Sequence, residues 1–492
     1  MPIVRILVLM WLVCWSTYSQ SNDKVVVGAP HWINYTNTDG SGLYFELLKR
    51  VFGETNLSLS ASSYHQAITE FEQGELDIVI GVNPEEVATG YIPKWHIDYE
   101  KPLKAFYQRG KHSINHVTDL KSLQLSWIKG FQFELYVNKN PTYQSVKDRY
   151  EGLALLKADK VDAFIGYDYF DAENVTPGLS SFELMYERPI YIAFNNSNKG
   201  QMLANLFDRE MERLYLSGEL KALYGKEYQR ANFDSPAQEQ VVLYTDDSEL
   251  LNTRDSGLRK SHIGVYAITE LLGDLLPQYA IEYKQLTGLD NNLANDEREL
   301  ACVKNAIQTP KRMEKYAISG PVYLYQTVRL YSTKPLTITE PFSLTSLFEQ
   351  YPEYTIGVPA ERNYGRQLNA ALANSSRNVV KNAAYDDSLA AKQLAKGRFD
   401  FLLETPGDIE SYWAALDEDN APLFKYQLTD SPPLIIGRII CKSNEAGQRF
   451  VSSVNKALTK LKITSPFYIA QHDLMSPISD EKFQSAYQEV FH

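Results

Sequence analysis

The sequence predicts an α/β protein of two tandem domains, each made of two α/β lobes joined by crossing segments. Three observations predict it. The chain has 492 residues, too many for one ordinary hydrophobic core. Short apolar runs alternate with amphipathic stretches, the pattern of parallel strands covered by helices. The second half also repeats the plan of the first. Pro189-Ile-Tyr-Ile-Ala-Phe-Asn-Asn-Ser-Asn-Lys-Gly200, near the end of the first half, has a counterpart in Pro433-Leu-Ile-Ile-Gly-Arg-Ile-Ile-Cys-Lys-Ser-Asn-Glu-Ala-Gly447. Each reads as an apolar strand, a polar turn and the start of an amphipathic helix. Half the chain is far longer than a solenoid repeat, so the repeated unit is a whole domain.

The first half opens with an apolar run at Val25–Gly28, which predicts a strand, followed by a loop carrying Trp32 and Tyr35. Leu43, Leu47 and Val51 share one face of a helix expected over 43–52, and Gly53 supplies its stop. A strand at 57–61, a short helix at 67–73 and a fully buried strand at 76–81 complete β-α-β-α-β. A segment through Pro102 then crosses to a second lobe. That lobe holds strands at 123–128 and 161–166 and a helix at 152–160. The run 191–194 returns, and a helix at 201–216 closes the half. The second half repeats this with strands at 241–245 and 281–286 around a helix at 263–276. Its second lobe has strands at 355–358 and 399–403 and helices at 365–373 and 387–396. Residues 22–232 are read as the first domain, the polar stretch 233–239 as a linker, and 240–492 as the second domain.

The N-terminus differs from the rest. Arg5 precedes ten unbroken apolar residues, Ile6 to Trp15, and small residues follow at Thr17 and Ser19. That is the layout of a secretory signal over 1–19, cleaved after Ser19, and ten apolar residues are too few to span a bilayer. A periplasmic location follows as an expectation. Removal of Cys14 with the signal leaves Cys302 and Cys441, an even pair in an oxidising compartment. They read as either a bridge or two buried thiols. The 44% apolar and 22% charged fractions fit a globular protein. The net charge of −12 argues against a nucleic-acid surface. No HExxH, Gly-x-Ser-x-Gly or phosphate-binding Gly-x-x-x-x-Gly-Lys pattern occurs, so no metal, cofactor or catalytic group is expected.

Three places could carry chemistry. Thr309-Pro-Lys-Arg312 follows a strand and precedes a crossing segment, and a forked cation there suits a ligand carboxylate. Spacing alone favours a solvated charge. Asp168 and Glu404 each follow the last strand of a lobe, where a carboxylate suits either a cationic ligand group or a helix cap. Arg362-Asn-Tyr364-Gly365 lies between strand and helix, where Gly365 lets backbone N–H groups approach a ligand. Lys129-Gly130-Phe131 is its first-half counterpart. Either could be a plain turn. Trp32, on the loop after the first strand, is a further candidate to face a solute.

The layout and the Thr309–Arg312 motif resemble the extracellular solute-binding proteins of family 3, the type II periplasmic-binding fold of polar amino-acid receptors, in two tandem copies. The resemblance covers nearly all of the mature chain. It implies that Arg312, with Thr309, clamps a ligand carboxylate, and that Asp168 or its counterpart Glu404 holds a ligand ammonium. It implies a small polar, amino-acid-like solute captured by lobe closure, and a membrane permease or membrane sensor as partner. Where the first half should carry the clamp it reads Tyr91-Ile-Pro-Lys94, with no Arg. Neither half has the full amino-acid set. The alternatives are a scaffold or signalling accessory with degenerate clefts, or an exported dehydratase-type enzyme using Glu404 as acid.

Overall fold

The structure, a computed structural model, describes residues 24–131, 133–137, 141–168, 178–233, 239–245, 265–359, 362–382, 387–406, 408–414, 416 and 422–492. The expected signal over 1–19, Cys14 and most of the expected linker lie outside them.

The first half contributes strands β1 (Val25–Pro30), β2 (Leu57–Ser62), β3 (Ile78–Val82), β4 (Asp98–Glu100), β5 (Leu103–Gln108), β6 (Leu125–Ile128), β7 (Tyr143–Val146), β8 (Ala163–Tyr167), β9 (Leu179–Met185) and β10 (Arg188–Phe194). The second half contributes β11 (Glu239–Thr245), β12 (Tyr279–Gln285), β13 (Ala301–Ile307), β14 (Tyr316–Ile318), β15 (Tyr323–Gln326), β16 (Arg329–Ser332), β17 (Ile356–Pro359), β18 (Val379–Asn382), β19 (Phe401–Glu404), β20 (Phe424–Tyr426) and β21 (Leu434–Lys442).

These form four sheets of one plan, one per lobe. The orders are β2-β1-β3-β10-β4, then β7-β6-β8-β5-β9, then β12-β11-β13-β21-β14 with β15 also on β21, and β18-β17-β19-β16-β20. In each sheet the first three strands are parallel. The fourth and fifth run antiparallel to their neighbours. The fourth strand is always one that begins or ends at a crossing between lobes. The chain crosses between β4 and β5 and returns between β9 and β10. It crosses again between β15 and β16 and returns between β20 and β21. This is the tandem type II periplasmic-binding architecture, two lobes and two crossings per half.

The local reasons are those of the sequence. The helix Leu43–Phe52 buries Tyr44, Phe45, Leu47, Leu48, Val51 and Phe52, and ends at Gly53 with φ 84°, a left-handed stop that favours glycine. The repeated turns also match in detail. The Ser197 hydroxyl accepts from Gly200 N at 3.0 Å, and Asn444 Oδ1 accepts from Gly447 N at 2.9 Å. Each caps the long helix that follows, Asn198–Ser217 or Glu445–Leu461. Cys302 on β13 faces Cys441 on β21 in register, and the two are joined as a disulfide with Cα atoms 4.0 Å apart.

The four lobes do not have four separate cores. One apolar cluster runs through the second and third lobes. It takes in Trp127 and Phe133 from the second, and Ile268, Leu272 and Phe450 from the third. The C-terminal helices Ser465–Leu474 and Asp480–Phe491 add Phe467, Tyr468, Phe483 and Tyr487. The helix Ser465–Leu474 packs on the helix Glu134–Val137 and β9 of the second lobe, and on the helix Val265–Asp274 and β15 of the third. The His116 ring meets Tyr468 edge-on at 4.4 Å, Lys121 pairs with Asp480, and the Tyr186 hydroxyl donates to Leu271 O at 3.4 Å. Among the described residues no helix is long and apolar enough to cross a membrane.

Candidate functional site

In this strand order, loops after the parallel strands line the space between two lobes, where ligands bind in open α/β sheets. The described residues at this place, the expected cleft of each half, differ between the halves.

The first cleft is closed by its own side chains. Phe131 of the second lobe stacks on Tyr64 of the first, with centroids 4.8 Å apart and planes 9° apart. Gly130 lies against the start of the helix Tyr64–Glu72: a Cβ there would be 2.6 Å from His65 Cβ and 2.9 Å from His65 N. The turn 129–131, a candidate ligand loop, therefore touches the opposing lobe itself. Behind the stack sits a buried polar set. The Tyr64 hydroxyl donates to Glu86 Oε2 at 2.7 Å, Glu86 also accepts from Asn83 N at 2.8 Å, and Arg188 donates to the Tyr136 hydroxyl. Glu100 pairs in register with Arg188 across β4 and β10, and Glu86, Glu100 and Arg188 are all 5% exposed or less. Burial, reinforced by Glu86 and Glu100, pushes the Tyr64 and Tyr167 hydroxyls well above the ordinary tyrosine pKa.

Asp168 stands just past β8, and Lys104 Nζ on β5 reaches its Oδ2 at 2.6 Å. A carboxylate so placed already holds a cation of the chain. Trp32 is half-buried over Gly81, where an added Cβ would lie 2.3 Å from the indole ring, and it meets Tyr44 edge-on at 6.3 Å. It seals the end of β3.

In the second half the Thr309–Arg312 loop follows β13. Thr309 caps the short helix Pro310–Lys315, accepting from Arg312 N at 3.3 Å, with Pro310 in the first turn. Arg312 is half-buried, and its Nη1 donates to Ile307 O at 2.6 Å. Among the described residues it has no carboxylate partner, and burial lowers its pKa from the usual arginine value. Such a guanidinium offers its other donors to an anion. The nearby acid Asp290 is taken by Lys315 Nζ at 2.7 Å and by the Tyr316 hydroxyl.

On the opposing lobe Glu404 ends β19 and is fully buried. Its Oε2 accepts from Arg362, and its Oε1 from Thr405 N at 2.8 Å and Thr405 Oγ1 at 3.2 Å. Tyr364 is 3% exposed and packs in the fourth lobe's core with Leu368 and Leu403. Its ring serves that core rather than a solute surface. Gly365 has φ 91°, but its N–H donates to Asn363 Oδ1 at 2.9 Å, and Tyr364 N donates to Asn369 Oδ1 at 3.0 Å. The backbone donors expected to meet a ligand are thus satisfied within the turn.

The structure brings Glu404 together with the stretch 362–365 through Arg362. No hydrogen bond or ion pair joins them to Thr309 or Arg312 among the described residues. Sequence reasoning missed the pairing of Lys104 with Asp168 and of Arg362 with Glu404, and the Phe131–Tyr64 stack. Among the described residues no group of three or more His, Cys, Asp or Glu is placed to hold a metal.

No family model matches the sequence, and no curated protein matches it. Solved structures do. An amino acid ABC transporter substrate-binding protein from Streptococcus pneumoniae bound to L-arginine is 19% identical, over 44% of this chain and 98% of its own, with a TM-score of 0.33. The GluR0 ligand-binding core from Nostoc punctiforme with (L)-glutamate is 15% identical over 42% and 99%, with a TM-score of 0.34. The periplasmic domain of BvgS from B. pertussis is 15% identical over 96% of this chain and 91% of its own, with a TM-score of 0.34. At these values the fold rests on the strand order and not on the likeness.

Proposed function

We propose that this chain is a periplasmic solute-binding protein whose second cleft captures a small polar solute by its carboxylate. Closure of the third and fourth lobes on the solute then presents a changed surface to a membrane partner, either a permease or a sensor. The observation that carries this reading is Arg312, a half-buried guanidinium on the loop after β13 with no carboxylate bonded to it among the described residues. Burying a cation without a partner is costly, and a ligand carboxylate offsets that cost. Two lobes hinged at crossing segments are a known means of turning ligand contact into a change of shape.

The first cleft supports a second, local reading. Phe131 of the second lobe stacks directly on Tyr64 of the first, which favours a structural or signalling role for that half without a solute. The reading is of a binder and not an enzyme, since the acid a dehydratase would use, Glu404, is engaged by Arg362 and Thr405.

The test is a thermal-shift screen of the mature chain against amino acids, organic acids, polyamines and small peptides, beside Arg312→Ala. Ligand binding to the native state raises Tm by mass action. The expected result is at least one carboxylate that raises Tm in the wild type and has no effect in the variant. A shift that survives the substitution, or a panel with no shift at all, overturns the reading.

A further inference from the structure

A free α-amino acid brings two charges into a closing cleft, a carboxylate and an ammonium. Each loses its water on closure and needs a partner there. The second cleft offers these unequally. For the carboxylate there is Arg312, which no acid engages among the described residues. For the ammonium, the described residues offer Asp290 on the third lobe and Glu404 on the fourth. Asp290 is bonded to Lys315 and Tyr316. Glu404 is fully buried and bonded through both oxygens, to Arg362 and to Thr405. An ammonium entering here would have to displace a guanidinium that is already in place, from a carboxylate with no exposed surface.

From this placement we propose that the second cleft selects small organic carboxylates lacking an α-ammonium over the matching amino acids, with Arg362 as the specificity-determining residue. Arg362 acts by occupying Glu404, a buried acid of the fourth lobe. The inference rests on the reading of Arg312 as the carboxylate clamp and adds the ligand class to it. The first half shows the same device in another form, with Lys104 on Asp168.

The experiment uses the full mature chain and matched pairs differing chiefly at the α-amino group: succinate against L-aspartate, and 2-oxoglutarate against L-glutamate. Affinities are measured by calorimetry for the wild type, Arg312→Ala and Arg362→Gln. The expected result is at least tenfold tighter binding of the deaminated member of a pair, abolished in Arg312→Ala. Arg362→Gln, which frees Glu404, should shift the ratio at least tenfold toward the amino acid. If that variant does not fold, the wild-type ratio alone decides. Tighter binding of the amino acid by the wild type, still lost in Arg312→Ala, overturns this inference and leaves the clamp standing. Binding that ignores Arg312→Ala, or no binding of any member, overturns both. An unchanged ratio in folded Arg362→Gln overturns the role given to Arg362.

Discussion

Asp208 shows how a single buried acid sets a pH dependence. It lies within the helix Asn198–Ser217, and its Oδ1 accepts from Lys94 N at 2.8 Å and Trp95 N at 3.1 Å. Burial outweighs these bonds and pushes the carboxyl up to about 6, from 3.8. The folded state therefore holds a proton that the unfolded state releases between those values. The group's stabilising contribution is present below about pH 4 and is lost as pH rises through 6. Asp208→Asn keeps an oxygen for both backbone donors and removes the buried charge. It should raise stability at pH 8 by on the order of 1 kcal/mol, with little change at pH 4. Urea melts at the two pH values decide it, and an equal loss at both would sink the argument. At this scale the sequence shows which residues can be charged but not which are satisfied. Arg312's place after a strand and a Thr-Pro pair was legible, but spacing alone favoured a solvated charge and only the family resemblance made it a candidate clamp. The partners of Asp168 and Glu404 were not legible, because Lys104 and Arg362 lie 64 and 42 residues away and meet them only through sheet pairing and loop placement.

The turn-and-helix units are where sequence and structure agree most closely, because their determinants are local. In both halves a side-chain cap stands three residues before a glycine whose absent Cβ is required. A Cβ on Gly200 would fall 1.9 Å from Asn195 O, and one on Gly447 would fall 2.0 Å from Lys442 O. Any side chain would force the helix start away from the strand before it. The capped N–H groups would move with it. Gly200→Ala and Gly447→Ala should each cost roughly 1–3 kcal/mol, although alanine is the better helix former. The cost should be similar in the two halves if the turns are true equivalents. Chemical denaturation of the two variants measures this. A stabilised variant, as helix propensity alone would give, would contradict the close approach. The helix Leu43–Phe52 was legible to the residue for the same local reason, a regular apolar face closed by Gly53. Tyr364 was not. Its position beside Gly365 reads as a ligand loop, yet its ring has an apolar core within reach and is buried there.

Across the whole molecule, the division into two domains read from the repeat does not match the division of the core. The repeat places a boundary between the halves, near 233–239. The apolar cluster ignores it and joins the second lobe to the third, with the C-terminal helices wedged between them. The reason is physical. A sheet face must be covered by something, and periodicity shows which face is apolar without showing what covers it. Tyr468 is the test residue, being 7% exposed and touching His116 of the second lobe as well as Phe483 and Tyr487 of the C-terminal helix. Tyr468→Ala should cost about 3–5 kcal/mol, as large-to-small core substitutions do. The informative readout is where the loss appears. Hydrogen exchange should quicken in β6 and β8 of the second lobe together with β11 and β13 of the third, since one cooperative unit opens as one. The first-lobe strands β1 and β3, which belong to a different apolar cluster, should keep their protection. Loss confined to the third lobe would mean that the two lobes only touch. Loss in both would make them a single central body, with the first and fourth lobes hinged on either side of it. Motion of the fourth lobe would then be felt at the same body that the first lobe touches through Tyr64 on Phe131.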